Sequence, residues 1–83
     1  NEVENRYPDI MLLRRKPYEE KIKYEYLLEL KWAQKGEVEE KLRSGKDQVR
    51  TYLEMEEIRE RKGLKAYVVV GSKHGVVMER VEE

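Results

Sequence analysis

Apolar positions along the chain fall into groups that predict four strands and one helix, in the order strand, strand, helix, strand, strand. Residues 9–13 form a short apolar run, which is typical of a strand buried on both faces. Residues 24–32 alternate as a second strand does. One face of that strand carries Tyr26, Leu28, Leu30 and Trp32, and the other carries Leu27, Glu29 and Lys31.

A single long helix is predicted between Gly36 and Gly63, spanning residues 37–61. Its apolar positions follow helical spacing and are Val38, Leu42, Val49, Tyr52, Leu53 and Ile58. Gly45 interrupts this helix, and a glycine inside a helix costs about 1 kcal/mol relative to alanine. It therefore indicates either a bend or a place where the helix backbone lies close to the sheet.

The last two predicted strands are residues 64–71 and 76–81, joined by a hairpin turn over 72–75. Residues 14–23 contain Pro17 and clustered charge, and they predict a wide turn between the first two strands. Because a helix of crossover length separates the second and third strands, we expect these two strands to pair in parallel. The sequence thus predicts one α/β domain over residues 1–83, with a mixed sheet and one helix packed on it.

Charge and composition exclude several classes of protein. The chain has no cysteine, which excludes disulfides and thiolate metal sites, and no apolar stretch long enough to span a membrane. A cytoplasmic protein is therefore expected. Lysine plus arginine (18) balances aspartate plus glutamate (18), which argues against nucleic-acid binding through bulk charge. The basic residues 14–16, with Lys21 and Lys23, predict either a local basic patch or a solvated connection.

Glu29 and Lys31 are two charges inside an apolar strand, and they project from the same face about 6.6 Å apart. If the first two strands form a hairpin, Asp9 can lie beside them. Two carboxylates with the backbone carbonyl of Leu30 are oxygen ligands suited to Mg²⁺ or Mn²⁺, and Lys31 could stabilise charge on a phosphate. The alternative interpretation is a surface ion pair of little energetic consequence.

These residues resemble the signature of the PD-(D/E)XK nuclease superfamily, namely Pro8-Asp9 followed by Glu29-Leu30-Lys31 on an adjacent strand. Gln48 and Tyr52 resemble the Gln-x-x-x-Tyr motif of its RecB-like branch. The stretches RYPDIMLL and YLLELKW are similar to the nuclease-like domain at the C-terminus of bacterial and archaeal AAA-type ATPase-like proteins. The resemblance covers roughly residues 6–70.

The resemblance implies a restriction-endonuclease-like fold and a Mg²⁺- or Mn²⁺-dependent nuclease acting on DNA rather than RNA. It assigns Asp9 and Glu29 as metal ligands and Lys31 as the catalytic lysine, with Gln48 and Tyr52 beside it in the catalytic site. The family core opens with a helix and a strand, whereas eight residues precede Asp9 here. The first core helix is therefore expected to be missing, and an ATPase module or a second copy of the chain is expected to complete the fold.

Two other interpretations stay open. The chain could be a catalytically degenerate nuclease-fold domain that acts as an interaction or regulatory module, or an unrelated α/β domain with surface charges only. Trp32 is expected to pack at the end of its strand, with base stacking as the alternative. His74, the only histidine, falls in a predicted turn without an evident catalytic partner.

Overall fold

The chain folds into a four-stranded mixed sheet with helices on one face, as seen in a computed structural model that describes residues 8–14, 21 and 23–82. The elements in chain order are β1 (Ile10–Leu12), β2 (Glu25–Trp32), α1 (Val38–Leu53), α2 (Glu56–Arg59), β3 (Leu64–Ser72) and β4 (Gly75–Val81). This arrangement confirms the predicted α/β class and element order. None of the helices in the described residues is long and apolar enough to cross a membrane.

The sheet has the strand order β1-β2-β3-β4. β2 and β3 are parallel over their whole length, from Glu25 opposite Leu64 to Trp32 opposite Gly71, which confirms the predicted pairing. β1 pairs with β2, and β4 with β3, in antiparallel fashion. Parallel neighbours need a crossover connection, and the segment containing α1 and α2 supplies it.

Helix α1 lies against the sheet at Gly45. A Cβ atom at this position would lie 2.6 Å from Cγ1 of Val68, a fully buried residue of β3. The glycine is therefore the point of closest approach, one of the two interpretations that the sequence allowed, and the helix continues through it. Because Gly45 has no side chain, the next turn of α1, which contains Gln48 and Val49, can pack closely on the sheet.

The prediction of one continuous helix over residues 37–61 is wrong. Met55 has extended backbone (φ −68°, ψ 137°), so α1 ends at Leu53 and the short α2 begins at Glu56. The break turns the chain so that Ile58 enters the core, where it is buried. Burial of Ile58 accounts for a change of direction that helical spacing alone does not predict.

Buried side chains between the sheet and the helices form the core. They are Leu27, Ala33, Val49, Tyr52, Ile58, Ala66, Val68, Val70 and Val81. The strand members come from alternate positions of β2, β3 and β4 that point towards α1. Glu25 and Glu29 point to the same side and are buried as well.

The other side of the sheet has no covering element among the described residues, and we call it the open face. Its side chains come from the remaining alternate positions of the four strands: Ile10, Leu12, Tyr26, Leu28, Leu30, Trp32, Lys65, Tyr67, Val69, Val76, Met78 and Arg80. Many of the apolar ones are strongly exposed. Within residues 8–14, 21 and 23–82, the sheet is thus packed on one side only.

The expectation that the first strand is buried on both faces is wrong. β1 is a three-residue edge strand in which Met11 is half-buried towards α1 while Ile10 and Leu12 are exposed on the open face. The wide turn predicted over residues 14–23 lies largely outside the described residues. The final hairpin is tighter than predicted, because β3 runs to Ser72 and β4 starts at Gly75.

Candidate active site

Strand β2 carries Glu29 and Lys31 to the face of the sheet that α1 covers. Glu29 is almost completely buried, at 3% exposure, whereas a quarter of the Lys31 side chain reaches solvent. The Lys31 Nζ atom lies 3.7 Å from Oε2 of Glu29. The alternation of the strand therefore brings a carboxylate and an ammonium to one side, as the sequence indicates.

Asp9 joins this pair from the start of β1. Its Oδ2 atom accepts a hydrogen bond of 2.8 Å from the backbone amide of Leu30. The antiparallel register pairs Ile10 with Leu28, so the next position along brings Asp9 level with Glu29. Because the amide and carbonyl of a strand residue point to the same neighbour, the Leu30 carbonyl also faces the Asp9 side.

Helix α1 supplies Gln48 and Tyr52, one turn apart, from above the sheet. Lys31 donates a hydrogen bond of 2.8 Å from Nζ to Oε1 of Gln48. Tyr52 is buried in the core, near enough for the charges of Glu29 and Asp9 to act on its phenol. All five residues that the sequence singled out therefore meet in one place: Asp9, Glu29, Lys31, Gln48 and Tyr52.

Burial raises the pKa of the Glu29 carboxyl, and the neighbouring charge of Asp9 raises it further, while Lys31 opposes both effects. Oε1 of Glu29 is buried and has no hydrogen-bond partner within the described part of the chain. A buried carboxylate oxygen without a donor is costly. The site thus holds two adjacent acids whose charge is only partly compensated, and a cation would relieve this repulsion.

Burial also raises the pKa of Tyr52 to about 12, with the Glu29 charge as the second cause and Gln48 acting in the opposite direction. The phenol is therefore protonated at neutral pH. In that form its hydroxyl can donate a hydrogen bond, so Tyr52 is suited to orienting a neighbour and not to removing a proton.

The oxygen ligands that the site offers to a metal are the carboxylates of Asp9 and Glu29 and the carbonyl of Leu30. Hard oxygen donors of this kind suit Mg²⁺ or Mn²⁺. No group of three or more acidic or histidine side chains with metal-binding geometry occurs in residues 8–14, 21 and 23–82. A metal held here would thus depend on two carboxylates, and water would fill other coordination positions, as is common for Mg²⁺.

A second buried acid, Glu25, was not identified from the sequence. Its Oε2 atom accepts hydrogen bonds from the backbone amide of Arg14 at 2.9 Å and from Nη1 of Arg61 at 2.6 Å. The alternation of β2 puts Glu25 on the same face as Glu29, which is the one signal that could have identified it. Its partner Arg61 is 36 residues away, so the pairing depends on the tertiary fold.

The remaining candidates lie elsewhere. Trp32 is 60% exposed on the open face, and its ring lies across Gly71, where an added Cβ would be 3.1 Å from the indole. His74 is exposed in the turn between β3 and β4. Of the basic run, Arg14 pairs with Glu25, Lys21 and Lys23 are exposed, and residues 15 and 16 lie outside the described residues.

Comparison with known proteins gives no match among protein-family models, curated proteins or solved structures. The functional argument for this chain therefore depends on its own residues and their geometry.

Proposed function

We propose that this domain is a Mg²⁺- or Mn²⁺-dependent nuclease of the PD-(D/E)XK type, with a restriction-endonuclease-like sheet. The observation that carries the proposal is the convergence of Asp9, Glu29 and Lys31 on one side of β2. Asp9, immediately before β1, and two residues of β2 share the side that also receives Gln48 from α1. A surface ion pair does not require a buried glutamate, a second acid and a glutamine that holds the lysine.

The residues fit a divalent metal on chemical grounds. Asp9, Glu29 and the Leu30 carbonyl would hold the ion, and the unpartnered Oε1 of Glu29 is an available ligand atom. When bound, Mg²⁺ or Mn²⁺ polarises the phosphate and lowers the pKa of a coordinated water. Burial is the main cause of the raised pKa of Glu29, and a bound cation would offset the second cause, which is repulsion by Asp9.

The other residues have distinct roles in the proposed hydrolysis of a DNA phosphodiester. A water oxygen forms a bond to phosphorus and gives up a proton to solvent, while the bond to the leaving sugar oxygen breaks and that oxygen takes up a proton from solvent. The Lys31 ammonium stabilises the negative charge that gathers on the phosphate. Gln48 holds Lys31 in position through the 2.8 Å hydrogen bond that it accepts from the ammonium. The protonated hydroxyl of Tyr52 can donate a hydrogen bond to the buried carboxylate of Glu29 from the core side.

The experiment that tests the proposal combines Mn²⁺ titration with DNA cleavage. We expect calorimetry to detect Mn²⁺ binding that is lost in Asp9→Asn and in Glu29→Gln. Asp47→Asn is the matched control, because Asp47 is the other aspartate of the chain and its side chain is strongly exposed on α1. Lys31→Ala should retain Mn²⁺ binding and lose cleavage. Unchanged Mn²⁺ affinity in both acid variants would contradict the metal site.

The second candidate function is a catalytically degenerate nuclease-fold domain that serves as an interaction or regulatory module. The observation that favours it is the small number of acids, since only Asp9 and Glu29 meet here and the described residues contain no larger metal-binding group. This candidate predicts DNA or partner binding without turnover. Mn²⁺ binding with no cleavage of any DNA by the wild-type domain would favour it over the nuclease.

A further inference from the structure

Strand β2 departs from the usual composition of a sheet that a helix covers on one side, because its more polar face lies under α1. The face under α1 carries two glutamates and a lysine besides the buried Leu27, whereas the open face carries two leucines with Tyr26 and Trp32. A one-sided sheet normally turns its more apolar face to the core. Large exposed apolar patches mark interaction sites in soluble proteins. The composition of β2 therefore indicates that the open face is buried by another surface.

We propose that a second copy of this chain covers the open face, giving a twofold-symmetric dimer in which two sheets pack face to face. Leu12, Leu30, Trp32, Val76 and Met78 expose between 45% and 71% of their surface. Side chains of this size and exposure each leave on the order of 100 Å² in water. Together with the aromatic rings between them, the patch approaches the roughly 800 Å² per partner of a stable interface.

The balanced net charge of the chain is compatible with self-association, although the two charged strand residues of the open face, Lys65 and Arg80, are both basic. Lysine plus arginine (18) equals aspartate plus glutamate (18), and the sequence pI is about 6.8. Two copies therefore do not repel each other at long range near neutral pH, and the chain lacks the excess positive charge that attracts phosphates. The centre of the open face is largely aliphatic, which suits a packed protein surface better than stacked bases.

The arrangement along the strands is also self-complementary. Trp32 lies at one end of the open face, and Lys65 and Arg80 lie towards the other, about 20 Å and about 13 Å away respectively by strand rise. A twofold axis perpendicular to the strands brings the indole of each copy to the cationic end of its partner. Cation–π contacts are favourable there. Lys65 already lies over an aromatic ring of its own chain, with Nζ 4.0 Å from the centre of the Tyr24 ring.

This dimer is independent of the proposed nuclease function, because Asp9, Glu29 and Lys31 lie on the opposite side of the sheet. The test is sedimentation velocity on the wild-type chain between about 1 and 100 µM, the range that brackets a micromolar Kd. We expect a monomer–dimer equilibrium. A chain that is monomeric throughout this range overturns the proposal.

Adjacent residues of β4 provide the matched variants. Val76 and Met78 point to the open face and Val77 points to the other, and all three are exposed, so lysine at these positions disturbs no core. Val76→Lys combined with Met78→Lys should weaken the dimer at least about 100-fold, because the interface would bury two added charges from each copy. Val77→Lys should dimerise as the wild type does. Equal weakening by Val77→Lys overturns an interface on the open face.

A second readout needs no variant, because Trp32 is the only tryptophan and lies on the proposed interface. Dilution of the wild-type chain should red-shift its emission and increase acrylamide quenching, in step with dissociation. Emission that does not change while sedimentation detects a dimer overturns the assignment to this face. Quenching by a single-stranded oligonucleotide without any dimer would identify nucleic acid as the occupant and also overturn it.

Discussion

Lys31 of β2 donates a 2.8 Å hydrogen bond to the side chain of Gln48 on α1, and this contact joins the sheet and helix halves of the candidate site. The Lys31 ammonium also forms an ion pair with Glu29 at 3.7 Å, and it is partly exposed to solvent. The shorter, better-directed contact to Gln48 therefore sets where the ammonium points.

We predict that Gln48→Ala lowers DNA cleavage by at least about 10-fold, as expected for loss of a group that positions another. Mn²⁺ affinity should not change, because Gln48 is not a proposed ligand. The measurement is kcat and KM with Mn²⁺ at saturation, and the loss should fall on kcat. Gln34→Ala, at the only other glutamine, is the control and should cleave normally. Equal loss in both variants would contradict a positioning role for Gln48.

Glu29→Gln is predicted to be more stable than the wild-type chain at pH 7 without divalent metal. The folded-state pKa of Glu29 is raised, so its favourable contribution is complete below the ordinary value of 4.5 and is lost as pH rises through the folded-state pKa. The stability difference should therefore shrink as pH falls towards 4.5. Urea unfolding from pH 4 to pH 8 measures it.

Excess Mn²⁺ should reverse this order of stability. An ion bound to the folded state at 100 times its Kd stabilises the wild-type chain by about 2.7 kcal/mol, and Glu29→Gln should gain much less. Glu79→Gln on β4 provides the control, because Glu79 pairs with Lys46 outside the site. A wild-type chain that gains nothing from Mn²⁺ argues against Glu29 as a ligand.

Gly45→Ala is predicted to destabilise the fold by about 1–3 kcal/mol, as overpacking does. In an exposed helix this substitution would stabilise by about 1 kcal/mol. Here the added methyl would lie 2.6 Å from Cγ1 of the buried, β-branched Val68, which has little freedom to move. Ser44→Ala, on the exposed side, should be neutral or slightly stabilising. The melting temperatures of the two variants, measured by thermal unfolding, show whether the clash with Val68 or the higher helix propensity of alanine dominates at position 45.

Glu25→Ala is predicted to cost about 1–3 kcal/mol, because the donors packed against this buried acid are left without an acceptor. Both Arg61 and the Arg14 amide would lose their acceptor. Glu57→Ala on α2, whose side chain is exposed, should change stability by less than about 0.5 kcal/mol. Denaturant unfolding of both variants provides the comparison, and similar values would mean that the Glu25 pairs contribute little.

Much of the fold follows from local pattern. Alternation in β2, the apolar run in β3 and a crossover-length helix between them were sufficient to predict a parallel pair. The same alternation brings Glu29 and Lys31 to one side of β2. The candidate site was predictable as a set of residues because strand periodicity and helix spacing are local rules. That the five residues meet depends on the position of Asp9, which only the β1–β2 register fixes.

Other features were not predictable because they depend on distant contacts. The break at Met55 allows Ile58 to reach the core, and the burial of Glu25 requires Arg61 from across the fold. The more apolar side of β2 would ordinarily be assigned to the core, and no element in the described part of the chain covers it. Periodicity defines two sides of a strand but does not say which of them a helix will cover.

The difference in polarity between the two faces of β2 affects how the chain folds. A shift of one residue in the pairing of β2 would place Tyr26 and Leu28 under α1 and expose Glu25 and Glu29. Because this misaligned state would bury more apolar area from β2, it would compete with the native state if apolar burial alone decided the alignment. In that state Glu25 would lose Arg61, and Lys31 would lose Gln48. We therefore expect the buried charges to favour the correct alignment, and apolar replacements at these positions to yield a chain that collapses readily into a mixture of strand alignments.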